Sequence, residues 1–414
     1  LYLYNSSFQT FISLAHLISL VIMWLFGDMM PKRALFFVAL SCWIAFGLAS
    51  LLASAGQFWL FVLLKTAESM SNEICLLSVA VLQAERFNGK MLTLSIMCNV
   101  VALNVGNGIS ITANSFFLAS GTDWKLASLV VPVSLIPSAI LTSFFLKATE
   151  SSGSTRSVSL LSNALGMLRS KSYVLIVIAQ SMGLFYAMSF AFWLPSLTLD
   201  AFETFPNIFT GLSYPAATSL ISNIGAVGIV LAIPILAYFS KYFSSSSLVV
   251  PITLALAGTI TRLCFLGQIT MISVNFPITV LSFFGDGFIG FPFAVVSQQI
   301  IINLAPAHHR TSAISLLRLT EAVVRIPAFQ LVGWLSDSFR GDATTSYAQF
   351  YGLRNALLCV WSVNLPATIC YILVIRYYRE DVAKAQESGR RHKVQSTPLI
   401  SRKSTDISID ARII

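Results

Sequence analysis
The sequence predicts an all-α polytopic membrane protein built from two helical bundles. Three observations predict it. Eleven apolar stretches run through the chain, and about 20 such residues are what a helix needs to cross a hydrocarbon core. Of 414 residues, 56% are hydrophobic and 10% charged, with a mean hydropathy of +0.78, more apolar residue than a soluble core of that size uses. One long Ser-rich, basic segment, Ala148–Ser172, leaves five stretches before it and six after.

In order, the spans are Ser6–Phe26, Ala34–Ala53, Phe58–Leu82, Met91–Leu118, Trp124–Leu146, Tyr173–Leu199, Ser213–Phe239, Leu248–Gly267, Phe276–Leu304, Thr311–Leu335 and Phe350–Ile375. Interior Gly and Pro residues (Gly106, Gly108, Pro195, Pro234, Gly285, Gly287, Pro292, Pro327) are tolerated in spanning helices, where small residues let helices approach. Most are packing notches or kinks. The resulting division is an N-terminal bundle over 1–147, a cytoplasmic central loop over 148–172, a C-terminal bundle over 173–376 and a disordered tail over 377–414. Two bundles joined by a long loop is how a two-half transporter is laid out. Five plus six is one short of six plus six and the chain begins at Leu1, so a first helix is expected to be missing from it.

The net charge of +9 does not point to nucleic acid, because the basic residues lie in connections and in the tail. Alternate connections on the side of Lys32 and Arg33, together with the tail, hold nineteen Lys and Arg; the opposite connections hold three, Lys125, Arg340 and Arg354. The positive-inside rule makes the richer side, and the C-terminal tail, cytoplasmic. The six cysteines all lie in or beside apolar runs with no metal-ligand spacing, so neither a metal site nor a disulfide framework is expected. No Gly-rich phosphate loop, His-Glu-x-x-His or Gly-x-Ser-x-Gly occurs. An enzyme or an ATP-driven pump is therefore not expected, and a proton gradient is the expected driving force, with no cofactor.

The informative residues are the ionisable ones inside apolar spans: Lys65, Glu68, Glu73, Arg262, Asp286, Arg318, Glu321 and Arg325. Each costs about 2.5–3.5 kcal/mol at a helix centre on the insertion scale, so such residues face a polar cavity or one another. Lys65 and Glu68, three apart, share a helix face and can pair. Glu73 has no partner three or four residues away in its own helix. Low dielectric favours the neutral form of a carboxyl group, which suits reversible proton binding. Asp286 sits between Gly285 and Gly287, which would open space around it, with Arg262 or the Arg318 group as possible partners. Arg318, Glu321 and Arg325 form one helical stripe with a surplus positive charge that can meet Asp286 or an anionic head group. An internal ion ladder is the structural alternative. His16 reads as a packing residue on an apolar helix, and His308 and His309 as solvated charge.

Several short stretches carry a family resemblance. The connector Gly27-Asp28-Met29-Met30-Pro31-Lys32-Arg33 and the two-bundle layout resemble the major facilitator superfamily. Gln9-Thr10, Val105-Gly106-Asn107-Gly108, Trp193-Leu194-Pro195, Gly285-Asp286, Pro306 with His309-Arg310-Thr311-Ser312-Ala313, and Gly333-Trp334-Leu335-Ser336-Asp337 resemble motifs of its spinster branch, a group of lysosomal and plasma-membrane lipid carriers. The chain departs from the branch at Met29, where the loop has Arg; at Lys65, where the fourth helix has Arg; at Asn72, where relatives have Glu; and at Glu321 and Arg325, where they tend to have His and Asp.

The resemblance implies a major facilitator fold and a rocker-switch carrier of a lysophospholipid or sphingoid lipid, multi-pass in a lysosomal, late endosomal or plasma membrane, and monomeric. Lys65, Arg318, Glu321, Arg325 and Trp193 are then candidates for the substrate cavity and Glu73 and Asp286 for proton coupling. Gly27, Asp28, Lys32 and Arg33 would form a gate latch with Glu85. A carrier of small organic anions or sugars, or a non-transporting receptor or scaffold, remain the alternatives.

Overall fold
A computed structural model describes residues 2–26, 32–53, 57–87, 90–119, 124–145, 167–239, 247–305 and 310–409. No strand occurs among them. The helices are α1 (Tyr2–Phe26), α2 (Lys32–Ala49), α3 (Phe58–Arg86), α4 (Lys90–Ala119), α5 (Trp124–Phe145), α6 (Lys171–Thr204), α7 (Tyr214–Phe239), α8 (Val249–Met271), α9 (Phe276–Leu304), α10 (Arg310–Arg340), α11 (Ser346–Trp361) and α12 (Asn364–Ile409). The first ten expected spans coincide with α1–α10. The eleventh is two helices broken at Ser362 and Val363. Pro366 explains the break: its ring disfavours a helical carbonyl four residues back, and its missing N–H falls in the first turn of α12, where no intrahelical bond is lost.

Among the described residues, seven spans are long and apolar enough to cross a membrane: α2, α4, α6, α7, α8, α9 and the α11–α12 pair. Helices α1 and α5 hold shorter apolar segments, Phe11–Met23 and Leu129–Phe144. Helices α3 and α10 carry the charged triads. Within the helices, hydroxyls repeatedly donate to the carbonyl one turn back, as Ser19 does to Ala15 (2.9 Å) and Thr198 to Leu194 (2.8 Å). This satisfies a polar side chain without presenting it to lipid. Side-chain caps start three helices: Ser170 accepts from the Tyr173 N–H, Asn275 from Ile278 and Thr345 from Ala348. Glycines with positive φ, Gly211 and Gly341, make the turns after α6 and α10, where a side chain would be strained.

Each half has its own core. Helix α2 packs on α3 and α5, burying Phe36, Leu40 and Cys75. In the C-terminal half one cluster gathers Tyr173, Ile176, Leu254, Ile300, Tyr371 and Tyr378, and another Tyr186, Phe190, Trp193, Leu197, Phe276 and Phe350. The halves meet along two seams, α1 on α10 and α4 on α7 and α9. Leu20, Leu77 and Ala322 line the first; Ile96, Met97 and Val100 face Ile229, Leu236 and Phe291 in the second.

Residue 376, expected to close the C-terminal bundle, lies within helix α12. Helix α12 continues through Ile409. Tyr378, Asp381 and Val382 are buried in the C-terminal half, where Asn303 donates to Tyr378 Oη (3.0 Å) and the Ser172 N–H to Asp381 Oδ2 (2.7 Å). The polar composition of this stretch conceals residues that cap and close the bundle. All six cysteines are free thiols.

Candidate functional site
The charged triads of α3 and α10 meet across α1. On α3, Lys65, Ser69 and Glu73 recur every four residues and so line one stripe; α10 presents Arg318, Glu321 and Arg325. Between them stands His16 of α1. Its Nδ1 lies 2.8 Å from Arg325 Nη1 and 4.0 Å from Glu73 Oε2, and its Nε2 is hydrogen-bonded to Ser69 Oγ. A guanidinium only donates, so Nδ1 is the acceptor in the Arg325 bond, and the ring carries its proton on Nε2, toward Ser69. The imidazole thus bridges the two halves of the fold. Glu73, without a partner in its own helix, faces that imidazole from α3.

Two members of the set pair locally. Lys65 Nζ donates to Glu68 Oε2 at 2.7 Å, with its ammonium 6.0 Å from the centre of the Phe61 ring. Arg318 Nη1 donates to Glu321 Oε2 at 3.1 Å. The Arg318 side chain is 42% exposed against 7% for Glu321, so the carboxylate is the more sealed member of the pair.

Asp286 lies with Arg262 rather than with the Arg318 group. It has no ion pair with Arg318. It lines a cavity of about 270 Å³ at the α4 seam, walled mostly by α6, α7, α8, α9 and α12 of the C-terminal half and on one side by α4 of the N-terminal half. Arg262 lines the same cavity, its Nε donating to Asn364 Oδ1 (3.1 Å) and its Nη1 to the Gly258 carbonyl (2.7 Å). Among the described residues neither Asp286 nor Arg262 has an ion-pair partner within 4 Å. The flanking glycines are packing notches. Helix α9 is continuous, Gly285 faces Cys264, and Gly287 lies on the backbone of Gly225 of α7 so closely that a Cβ there would collide with it.

Trp193 does not line the Asp286 cavity. It is 1% exposed, packed edge-on against Phe192 within the aromatic core of the C-terminal half. Of the expected latch, Gly27 and Asp28 lie outside the described residues, as do the side chains of Lys32 and Glu85; Arg33 lies over the Phe37 ring, 5.8 Å from its centre. Sequence reasoning set His16 aside, because a single His on an apolar helix carries no spacing pattern. Its role becomes visible only when α3 and α10 are placed on either side.

No protein-family model and no curated protein matches the chain. Solved structures do. A bacterial homolog of the human lysosomal transporter Spinster, inward-facing and occupied, aligns with a TM-score of 0.58 at 12% identity over 91% of this chain and 97% of that one. Its inward-facing, unoccupied form aligns with 0.60 at 12% identity over 92% and 97%. The human organic anion transporter MFSD10 (TETRAN) aligns with 0.62 at 14% identity over 89% and 83%. The chain therefore shares the fold of these membrane transporters.

Proposed function
We propose that the chain is a proton-linked secondary transporter that works by rocker-switch alternating access and carries a lysophospholipid or a sphingoid lipid. The observation that carries this reading is the His16 bridge between the halves. Rocking requires the α1–α10 and α4–α7 seams to open at one end while each half stays intact. A seam bridged by an imidazole can open in this way, because each half keeps its own core.

The bridge also supplies a route for coupling. A proton placed on Nδ1 removes the acceptor that holds Arg325. The resulting imidazolium repels that guanidinium and attracts Glu73, so protonation exchanges a partner on α10 for one on α3. Glu73 and Asp286 are the carboxyl groups assigned to proton binding. Arg318, the more exposed member of its pair, and Lys65 and Arg325 are assigned to the charged head group, with Glu321 fixing Arg318. Gly27, Asp28, Lys32, Arg33 and Glu85 are assigned to the latch that closes one end. The Lys and Arg asymmetry supports a cytoplasmic tail, and the spinster resemblance supports a lysosomal or plasma membrane.

A small organic anion is the second reading. The cavity of about 270 Å³ with a guanidinium that lacks an ion pair among the described residues favours it, since that volume is small for an acyl chain. The test is uptake by the purified full-length chain in liposomes under an imposed pH gradient. Labelled lysophosphatidylcholine and sphingosine should accumulate above empty vesicles. Absence of uptake for both lipids, with uptake of a labelled dicarboxylate, would overturn the lipid reading in favour of the anion.

A further inference from the structure
We infer that the cavity at the α4 seam is a second binding site, sharing no residue with the charged layer around His16, that takes a small zwitterion with the chemistry of an apolar α-amino acid. Four observations converge on it.

The first is a fixed cation. The Arg262 guanidinium is held by Asn364 and the Gly258 carbonyl, and lies 4.8 Å from the centre of the Tyr371 ring and 5.6 Å from that of Phe293. It is pre-aimed, yet no carboxylate lies within 4 Å of it among the described residues. The second is Asp286, on the adjacent helix and the same cavity, also without an ion pair. A cation and an anion left unpaired inside apolar helices are costly. One ligand carrying both complementary charges relieves both.

The third is a pair of orphaned polar groups. Thr261 and Asn364 are lining residues of the cavity, and their Oγ1 and Nδ2 atoms are buried with no hydrogen-bond partner. Both can donate, and both residues are neighbours of Arg262, by sequence for Thr261 and by hydrogen bond for Asn364. Together with the guanidinium they suit a carboxylate. Asp286 suits the ammonium beside it, in place of the proton assigned to it in the empty state. The fourth is the shape. A Cβ on Gly183 would sit 3.2 Å from Arg262 Nη2, and one on Gly290 3.2 Å from Asp286 Oδ1, so glycines keep access to both charges. Val100, Leu184, Ile229 and Phe291 form apolar walls for a side chain.

The site is independent of which molecule crosses the membrane. Equilibrium binding of tritiated L-leucine to the purified full-length protein in nanodiscs tests it. Saturable binding is expected, displaced by unlabelled L-leucine but not by equal concentrations of octanoate or butylamine, which carry one charge each. Asp286→Asn and Arg262→Lys should each weaken it by about tenfold or more. Because Arg262 is buried among aromatic rings, Ala187→Leu serves as the second variant. It fills the cavity with both charges in place, and should abolish binding while thermal stability is kept. No saturable binding, equal competition by octanoate, or binding that survives Ala187→Leu would each overturn the site. Lysolipid uptake without L-leucine binding would overturn this site alone and leave the transport proposal standing.

Discussion

His16 Nδ1 on α1 lies 2.8 Å from Arg325 Nη1 on α10, and that hydrogen bond ties the two halves of the fold together through a layer of charge. Arg325 is also within reach of the fields of Glu73 and Glu321. The layer therefore sets two arginines against two carboxylates around a neutral imidazole, contributed by three helices from both halves.

His16→Ala and Arg325→Ala should each lower the thermal unfolding midpoint in detergent, and the double variant should cost little more than either alone. A hydrogen bond to a charged group contributes about 1.5–3 kcal/mol, and two residues sharing one interaction are not additive. A double-mutant cycle on the purified protein measures this. Full additivity would mean that the bond contributes nothing to holding the halves together.

Gly287→Ala should be damaging where Gly106→Ala is benign. A Cβ on Gly287 would collide with the Gly225 backbone, so α7 and α9 must part; overpacking of this kind costs about 1–3 kcal/mol, and backbone cannot yield as a side chain does. Nothing lies within 4 Å of a Cβ on Gly106, and Ala is favoured over Gly in a helix by roughly 0.5–1 kcal/mol. Folded yield and unfolding midpoint of the two variants, side by side, check the contrast.

Asp381→Ala should release the end of α12 from the C-terminal half. Its carboxylate caps the start of α6 at the Ser172 N–H, and loss of such a cap costs about 0.5–2 kcal/mol. Faster tryptic cleavage after Arg376 or Arg379 is the expected readout. Unchanged cleavage would mean that Tyr378 and Val382 hold the segment without it.

The helices were legible because hydropathy is local: a membrane span announces itself by length and composition. The division into two halves was legible in one polar segment. Partnership between helices was not. Arg262 and Asp286 stood out as costly charges, but nothing in their spacing says that they face one cavity without pairing. Glu73 looked solitary because its partner comes from α1, 57 residues earlier. Trp193 matched a family motif, yet the motif marks a packed aromatic core. The tail misled for a related reason: Tyr378, Asp381 and Val382 are scattered among charges, so their burial leaves no apolar run to detect.

Trp193→Phe should leave transport unchanged with a modest loss of stability, whereas Trp193→Ala should cost about 3–5 kcal/mol through the cavity it leaves. The expectation follows from its burial among Phe192, Phe190 and Leu197. A changed substrate preference in the Phe variant, at equal stability, would return this residue to the binding site.

The Lys65–Glu68 pair separates scaffold from site. Glu68 is pinned at the α2–α3 contact, since a Cβ on Gly47 of α2 would lie 3.4 Å from its Oε1. Removing either partner leaves the other charged and half-buried, and the unfolding midpoint should fall accordingly. The exchange Lys65→Glu with Glu68→Lys keeps the layer neutral and puts the acid nearer the helix start, the better orientation, so stability should return. Uptake should not return, because the ammonium assigned to the head group has moved one helical turn. Measuring the midpoint and lysolipid uptake on the same preparations decides it: recovery of both would make the pair a structural element and remove Lys65 from the proposed site.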